Sequence, residues 1–212
     1  MLRVIAGEHG GRRLRAPAGL ATRPTADRVR QALFNILPPP PVDSVVLDLY
    51  AGSGALGIEA LSRGAAAAVF VDSDAAACRV VRDNLQQLGL LERAVVLAQR
   101  VERVLPRLLD HSLGQALGIA CAPPYGYVFA DPPYKDAASA LPEIFRFFAA
   151  HAAALLGPEG ILVVEHDRRA APSAPRPLRC VDVRRYGDTA LAFFSAPPFD
   201  LPSPAQRTGD HP

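Results

Sequence analysis

The 212-residue chain has no tryptophan, one methionine and three cysteines, and these shortages exclude several classes of protein. Cys78, Cys121 and Cys180 lie far apart, which argues against a paired-cysteine zinc site or a disulfide framework and favours reduced thiols in a cytoplasmic protein. The five histidines are equally scattered, so no metal site is predicted. No apolar run approaches the roughly 18 residues of a membrane span, and the first residues lack the apolar stretch of a signal peptide. We therefore expect a soluble protein that is not exported.

Lysine is also nearly absent, and the arginines that replace it are concentrated at the amino end. Lys135 is the only lysine, and residues 1–41 carry seven arginines against two acidic side chains, although the whole chain has a net charge of only +2. A GC-rich genome would explain many arginines but not their clustering. A basic cluster is typical of a nucleic-acid-binding surface, with a solvated basic face as the alternative. The predicted RNA-binding residues are Arg12, Arg13, Arg15, Arg28 and Arg30.

The order of apolar segments predicts an α/β protein with a parallel sheet and helices on both faces. Half of the residues are hydrophobic, which suffices for the core of one domain. We assign residues 1–41 to an amino-terminal hairpin and helix and residues 42–196 to the main domain. Residues 197–212 form a Pro-rich tail that we expect to be disordered. Residues 114–125 are predicted to be a loop insertion.

A glycine-rich turn follows the first strand of the main domain. Gly52, Gly54 and Gly57 have the G-x-G-x-x-G spacing that lets backbone approach a ligand, and Asp72 ends the next strand, where an acid can bind ribose hydroxyls. This pattern also occurs in nicotinamide dehydrogenases, but Asp48 at the tip of the strand would repel a pyrophosphate. S-adenosylmethionine carries an ammonium and a sulfonium, and it suits this carboxylate better. A helix-capping or turn role for Asp48 is the alternative.

A second motif, Asp131-Pro132-Pro133-Tyr134, follows a buried strand near residue 130. Its two prolines remove N–H donors, so the loop presents carbonyl and carboxylate acceptors at the sheet edge where α/β proteins bind ligands. If Asp131 and the Pro132 carbonyl accept both hydrogens of an exocyclic base amine, the nitrogen lone pair is freed for attack on a methyl group. Tyr134 offers a ring on which a flipped base can stack. A Pro-rich turn with a core tyrosine is the structural alternative.

The order of these motifs resembles that of S-adenosylmethionine-dependent amino-methyltransferases that act on nucleic-acid bases. A narrower similarity, extending over residues 3–195, is to the bacterial RsmD family. It is carried by the segments Arg3-Val4-Ile5-Ala6-Gly7, Gly11-Arg12-Arg13-Leu14, residues 22–35 beginning Thr-Arg-Pro-Thr-Ala-Asp-Arg, and residues 51–64 beginning Ala-Gly-Ser-Gly-Ala-Leu-Gly.

The resemblance implies a Rossmann-like class I methyltransferase sheet of seven strands, mostly parallel, with an antiparallel last strand. It also implies methylation of the N2 amine of one guanine in 16S ribosomal RNA, with assembled small subunits as substrate and S-adenosylhomocysteine as the second product. We expect a monomer, because the substrate is large. The catalytic residues are then Asp131, Pro132, Pro133 and Tyr134. The predicted cofactor-binding residues are Arg23, Thr25, Asp48, Tyr50, Gly52, Ser53, Gly54, Asp72, Ser73 and Asp131.

Several points stay open on the sequence alone. Gln99-Arg100-Val101 stands where such enzymes often carry an Asp or Asn that contacts the adenine amine. A methyltransferase for adenine N6 or cytosine N4 in DNA or another RNA would use the same acceptor loop, and a non-catalytic RNA-binding module would need only the arginines. Glu165 and Asp167, at the end of a later strand, could face the site, but they are interpreted as a solvated strand terminus.

Overall fold

A seven-stranded sheet forms the centre of the computed structural model, which describes residues 2–17, 24–41 (backbone alone for 24–26), 43–109, 113 and 121–197. The strands are β1 (Val45–Asp48), β2 (Ala67–Asp72), β3 (Ala94–Ala98), β4 (Tyr125–Ala130), β5 (Leu156–Asp167), β6 (Arg179–Tyr186) and β7 (Thr189–Ser195). The helices are α1 (Pro24–Ile36), α2 (Ala55–Ser62), α3 (Ala75–Leu88), α4 (Val101–Val104), α5 (Tyr134–Ala150) and α6 (Ala152–Leu155).

The strand order is β3-β2-β1-β4-β5-β7-β6. Strands β1 to β5 are parallel, whereas β7 runs antiparallel between β5 and β6. The chain moves outward in one direction from β1 to β3 and then returns to place β4 on the other side of β1. Ligands of open α/β sheets bind where the strand order reverses in this way, beyond the carboxyl ends of the strands. The topology confirms the predicted fold class and places the candidate site above β1 and β4.

Each face of the sheet is covered by its own apolar core. Alternate residues of the central strands, such as Leu47 and Val128, face α4, α5 and α6, and their neighbours, such as Val46 and Phe129, face α1, α2 and α3. All four residues of β1 and all six of β4 are buried, as expected for strands covered on both sides. The buried backbone amides of these strands are satisfied within the sheet, and the chain is free to make polar loops only at the strand ends.

The amino-terminal segment folds back on itself as predicted, and within residues 2–17 it forms a single ladder bridge, between Arg3 and Arg13. The Val4 N–H donates to the Arg12 carbonyl (2.9 Å), and the Leu14 N–H donates to the Leu2 carbonyl (3.0 Å). Leu2, Val4 and Leu14 are buried in the core that α1, α2 and α3 cover. This segment is therefore part of the same packed unit as the sheet.

Two buried polar side chains fasten this segment to the helices. Glu59 of α2 accepts hydrogen bonds from the N–H groups of Ile5 (2.6 Å) and Ala6 (3.1 Å), and it also accepts one from Arg63 Nε (2.7 Å). Asn84 of α3 accepts from the Arg15 N–H (2.8 Å) and donates back to the Arg15 carbonyl (3.0 Å). Both side chains are fully buried, and their hydrogen bonds satisfy backbone groups that would otherwise need water as a partner.

Two of the predicted segments lie mainly outside the described residues. They are most of the 114–125 insertion and the tail after residue 197, so their predicted loop and disordered character stays a prediction. Among the helices that are described, none is long and apolar enough to cross a membrane.

Glu59→Ala is expected to lower the free energy of unfolding by about 2 kcal/mol, because it leaves the N–H groups of Ile5 and Ala6 without their acceptor and removes a fully buried side chain. Urea denaturation followed by circular dichroism measures this change. The matched control is Glu92→Ala, which removes an exposed carboxylate and should stay within about 0.5 kcal/mol of the parent. Equal stability of the two variants would contradict the anchoring role of Glu59.

Candidate active site

The polar residues that the sequence motifs select lie together at the carboxyl edge of the sheet. Asp48 ends β1, Asp72 ends β2, and Asp131 directly follows β4. The register pairs Asp48 with Phe70 of β2 and with Phe129 of β4, so these strand ends are immediate neighbours. The glycine loop and the Asp-Pro-Pro-Tyr loop therefore lie side by side at the switch point of the sheet, where open α/β sheets form their ligand-binding crevice. We call this region the recess.

The glycine loop turns tightly between β1 and α2. Gly52 and Gly54 have φ values of 52° and 77°, a left-handed conformation that favours glycine. Gly57 allows α2 to approach β2, since a Cβ atom there would lie 2.3 Å from a ring carbon of Phe70. The three glycines thus have the roles expected of a nucleotide-binding loop: two shape the turn, and one permits close packing of helix on strand.

Asp72 holds the glycine loop in place. Its Oδ2 accepts the Gly52 N–H (2.8 Å), and its Oδ1 accepts the Asp74 N–H (2.8 Å). A carboxylate has about four acceptor positions, so these two bonds leave capacity for ribose hydroxyls. The predicted ribose-binding role and the observed loop contact are compatible.

Asp48 is buried at the start of the glycine loop. It is 2% exposed, and its Oδ2 accepts the N–H of Gly57 (3.0 Å), which is in the first turn of α2. Burial raises the pKa of Asp48 to about 7. The contact is that of a carboxylate stabilising a helix start, the alternative that the sequence left open. No direct contact of Asp48 with a cofactor follows from this geometry.

The remaining predicted cofactor residues occupy the same edge or lie outside the described part. Tyr50 is half-buried near Glu102, and burial raises the pKa of its hydroxyl. The Ser53 carbonyl accepts a hydrogen bond from Asn84 (3.0 Å), and Ser73 is exposed after β2. Arg23 lies outside the described residues, and for Thr25 only the backbone, in the first turn of α1, is described.

The second loop places its tyrosine at the start of a helix. Tyr134 is the first residue of α5 and is 58% exposed, so its ring is open to a stacking partner. The Pro133 carbonyl accepts from the N–H groups of Asp136 (2.8 Å) and Ala137 (3.0 Å) and so belongs to the helix. The carbonyls of Asp131 and Pro132, together with the Asp131 carboxylate, are the acceptors that precede it.

Glu165 lies at this site, the alternative to the solvated strand end that the sequence favoured. The register of β4 with β5 pairs Ala130 with Val164, so Asp131 and Glu165 occupy matching positions on adjacent strands. Glu165 is partly buried, and its Oε1 accepts a hydrogen bond from Thr189 Oγ1 (3.1 Å). The interpretation of Glu165 as a solvated strand end is therefore wrong, because its pairing with Asp131 depends on a register that the sequence does not show. Asp167 is exposed, as expected.

The electrostatics of the recess are dominated by its carboxylates. Desolvation, followed by the charges of Glu165 and Asp48, raises the pKa of Asp131 to about 8. Asp131 is itself exposed, so water moderates the effect. Burial likewise raises the pKa of Glu165. In their ionised form the two carboxylates only accept hydrogen bonds and therefore favour partners that donate them. In the described residues, no group of three or more His, Cys, Asp or Glu side chains is arranged to hold a metal.

The predicted RNA-binding arginines divide into two groups. Arg12, Arg13, Arg15 and Arg28 are exposed, and Arg15 also pairs with Asp83 at 3.4 Å. Arg30 is 5% exposed and donates to the Arg3 carbonyl (2.6 Å) and to Asp27 (3.2 Å). The expectation that Arg30 contacts RNA is wrong, because its side chain is buried and its Nη2 holds the amino-terminal segment against α1.

Glu165→Gln is expected to lower the pKa of Asp131, because it removes the negative charge that contributes most to raising it. Carboxyl-carbon NMR titration should show Asp131 titrating near pH 8 in the parent protein and at lower pH in the variant. Asp167→Asn, which removes an exposed charge further along β5, should leave the midpoint unchanged. A titration midpoint of Asp131 near pH 4 in the parent protein would contradict the raised pKa and the effect of Glu165 on it.

Comparison with known proteins assigns the fold and the site to a family. Residues 2–195 match the family model described as Conserved hypothetical protein 95. The chain is 37% identical over 194 residues to YlbH of Bacillus subtilis, provisionally named an rRNA methyltransferase, covering 91% of this chain and 98% of that protein. It is 38% identical to the ribosomal RNA small subunit methyltransferase D of Escherichia coli over 134 residues, covering 63% of this chain and 61% of that protein.

A solved structure of E. coli yhhF, provisionally named a methyltransferase, superposes with a TM-score of 0.72 at 32% identity, covering 92% of this chain and 97% of that chain. The chain therefore belongs to the RsmD family and is a methyltransferase with a class I α/β fold.

Proposed function

We propose that this protein methylates the exocyclic N2 amine of a guanine in 16S ribosomal RNA, using S-adenosylmethionine, and that it acts on the assembled small subunit. The observation that carries the proposal is the juxtaposition of the glycine loop of β1 with the acceptor loop of β4 at one recess. One loop suits a cofactor and the other suits a base amine. The names of the relatives supply the small-subunit RNA as the substrate class.

The recess fits S-adenosylmethionine at two points. The left-handed Gly52 and Gly54 leave the backbone of the loop uncovered by side chains, and Asp72 at the end of β2 can accept from ribose hydroxyls. We propose that Tyr50, Ser53 and Ser73 line the same pocket. Asp48 supports the loop through Gly57. The cofactor supplies an activated methyl group on a sulfonium.

The residues of the acceptor loop prepare the nucleophile. The Asp131 carboxylate and the Pro132 carbonyl accept hydrogen bonds from the two N–H groups of the amine. These bonds orient the nitrogen lone pair and remove it from conjugation with the ring. As the nitrogen–carbon bond forms and the carbon–sulfur bond breaks, the amine nitrogen becomes positively charged and must release a proton. Asp131 is placed to stabilise this charge and, in its ionised form, to accept that proton. The exposed ring of Tyr134 supports the base.

The exposed arginines of the amino-terminal segment are proposed to hold the RNA backbone. Arg12, Arg13 and Arg15 lie on a segment that is fixed to α2 and α3, and Arg28 lies on α1. Arginine binds phosphate through a planar fork, and each phosphate contact releases counterions. Binding through these residues would therefore depend on salt.

The test of the function is transfer of labelled methyl from S-adenosylmethionine to small subunits isolated from cells that lack this protein. Mass spectrometry should identify N2-methylguanine in 16S RNA. Asp131→Ala should lower the rate by about 100-fold or more while subunit binding is kept. Asp136→Ala, an exposed carboxylate in the next turn, should retain the parent rate. Methylation of adenine, cytosine or DNA instead would overturn the substrate assignment, and unchanged turnover in Asp131→Ala would overturn the mechanism.

Replacing Arg12, Arg13 and Arg15 together by Gln is expected to weaken subunit binding and to reduce the slope of log affinity against log salt by about 2. Filter binding at several salt concentrations measures both effects. Arg146→Gln changes an exposed arginine on α5, which covers the opposite face of the sheet, and should leave the slope unchanged. An unaltered slope in the triple variant would remove these arginines from the RNA interface.

A further inference from the structure

We propose that Glu165 is a specificity-determining residue that selects guanine by accepting the hydrogen bond of its ring N1–H, beside the N2 amine held by Asp131. This inference rests on the proposed function and adds to it the reason why one base is chosen. It assigns a role to a carboxylate that the methyl-transfer chemistry itself does not use.

The sheet brings the two carboxylates together. Val164 pairs with Ala130, so Glu165 and Asp131 follow at equivalent positions of β5 and β4. Both side chains continue the sheet face that carries Phe129 and Val163, since strand residues alternate in direction. The charge of Glu165 contributes more than that of Asp48 to the electrostatic environment of Asp131. A base amine bound by Asp131 therefore has Glu165 beside its neighbouring ring atom.

Guanine is the base whose edge matches two adjacent acceptors. Its N1–H and N2 amine are neighbouring donors that point in the same direction. In adenine and cytosine the ring nitrogen beside the amine is an acceptor, and its lone pair would face the Glu165 carboxylate. A buried acceptor that meets another acceptor loses its hydrogen bond and adds repulsion, so a site of this kind rejects the wrong base strongly.

Glu165 is held ready for this contact by the same group that holds the stacking ring. Thr189 Oγ1 donates to Glu165 Oε1 (3.1 Å) and is also hydrogen-bonded to the Tyr134 hydroxyl. Thr189, the first residue of β7, thus connects the Glu165 carboxylate to the Tyr134 ring on which the base is proposed to stack. One oxygen engaged with Thr189 leaves acceptor positions of the carboxylate for the substrate.

The experiment compares two substrates that share the N2 amine and differ at N1. Small subunits are reconstituted with 16S RNA that carries either guanine or 2-aminopurine at the methylated position, the latter having an unprotonated ring nitrogen in place of N1–H. The parent enzyme should prefer guanine. In Glu165→Gln, whose amide can donate to that nitrogen, the ratio of kcat/KM values should fall by about tenfold or more. The missing O6 of 2-aminopurine affects both enzymes alike and cancels in the comparison.

Controls separate a reading role from a structural one. Gln keeps an acceptor for Thr189. Glu165→Asp keeps the charge but withdraws it by one methylene, so the ratio should fall less in the Asp variant than in Glu165→Gln. Asp167→Asn should behave like the parent. Equal losses on both substrates in Glu165→Gln, or a parent enzyme without preference, would overturn the role of Glu165. If the parent forms no N2-methylguanine on guanine particles, the proposed function itself fails. This result differs from a failure of the Glu165 role, in which the parent methylates guanine but the ratio of kcat/KM values does not change in the variant.

Discussion

The site exists because parallel strands end at a common edge. Strands β1, β4 and β5 satisfy their backbone groups within a sheet buried on both faces, and polar loops can form only where these strands stop. The reversal of strand order between β1 and β4 separates the helices on the two faces and opens a recess there. The glycine loop, the acceptor loop and Glu165 owe their proximity to this hydrogen-bonding constraint.

The amino-terminal segment is joined to the same recess by polar contacts. Asn84 bonds both to the backbone of Arg15 and to the Ser53 carbonyl in the glycine loop. One fully buried amide thus links a segment with exposed arginines to the loop proposed to hold the cofactor. Since Glu59 fixes the opposite arm of that segment, the proposed RNA-binding surface has a set position relative to the recess and does not behave as a separate flexible arm.

Local patterns in the sequence were sufficient for the architecture and for the two loops, because strand periodicity, glycine spacing and proline pairs act within a few residues. They were insufficient for Glu165, whose importance comes from its register with Asp131, and for Glu59 and Asn84, whose partners are more than fifty residues away. The same limit explains Arg30, for which charge suggested an RNA contact and packing supplied the Arg3 carbonyl as a partner. For Asp48 the sequence left a helix-supporting role open, and the structure shows its contact with the Gly57 N–H.

The distribution of charge divides RNA recognition into two parts. Exposed arginines at the amino end attract phosphate, whereas the recess presents Asp131 and Glu165, which repel it. A backbone phosphate is therefore disfavoured in the recess, and a flipped base that donates hydrogen bonds is favoured. Carboxylates crowded together are costly until donors arrive, so binding of a base with two adjacent donors relieves a penalty that the free enzyme bears. Asp131 and Glu165 thus have two roles in the proposed mechanism. They accept hydrogen bonds from the base, and they select a base with two adjacent donors before the methyl group is transferred.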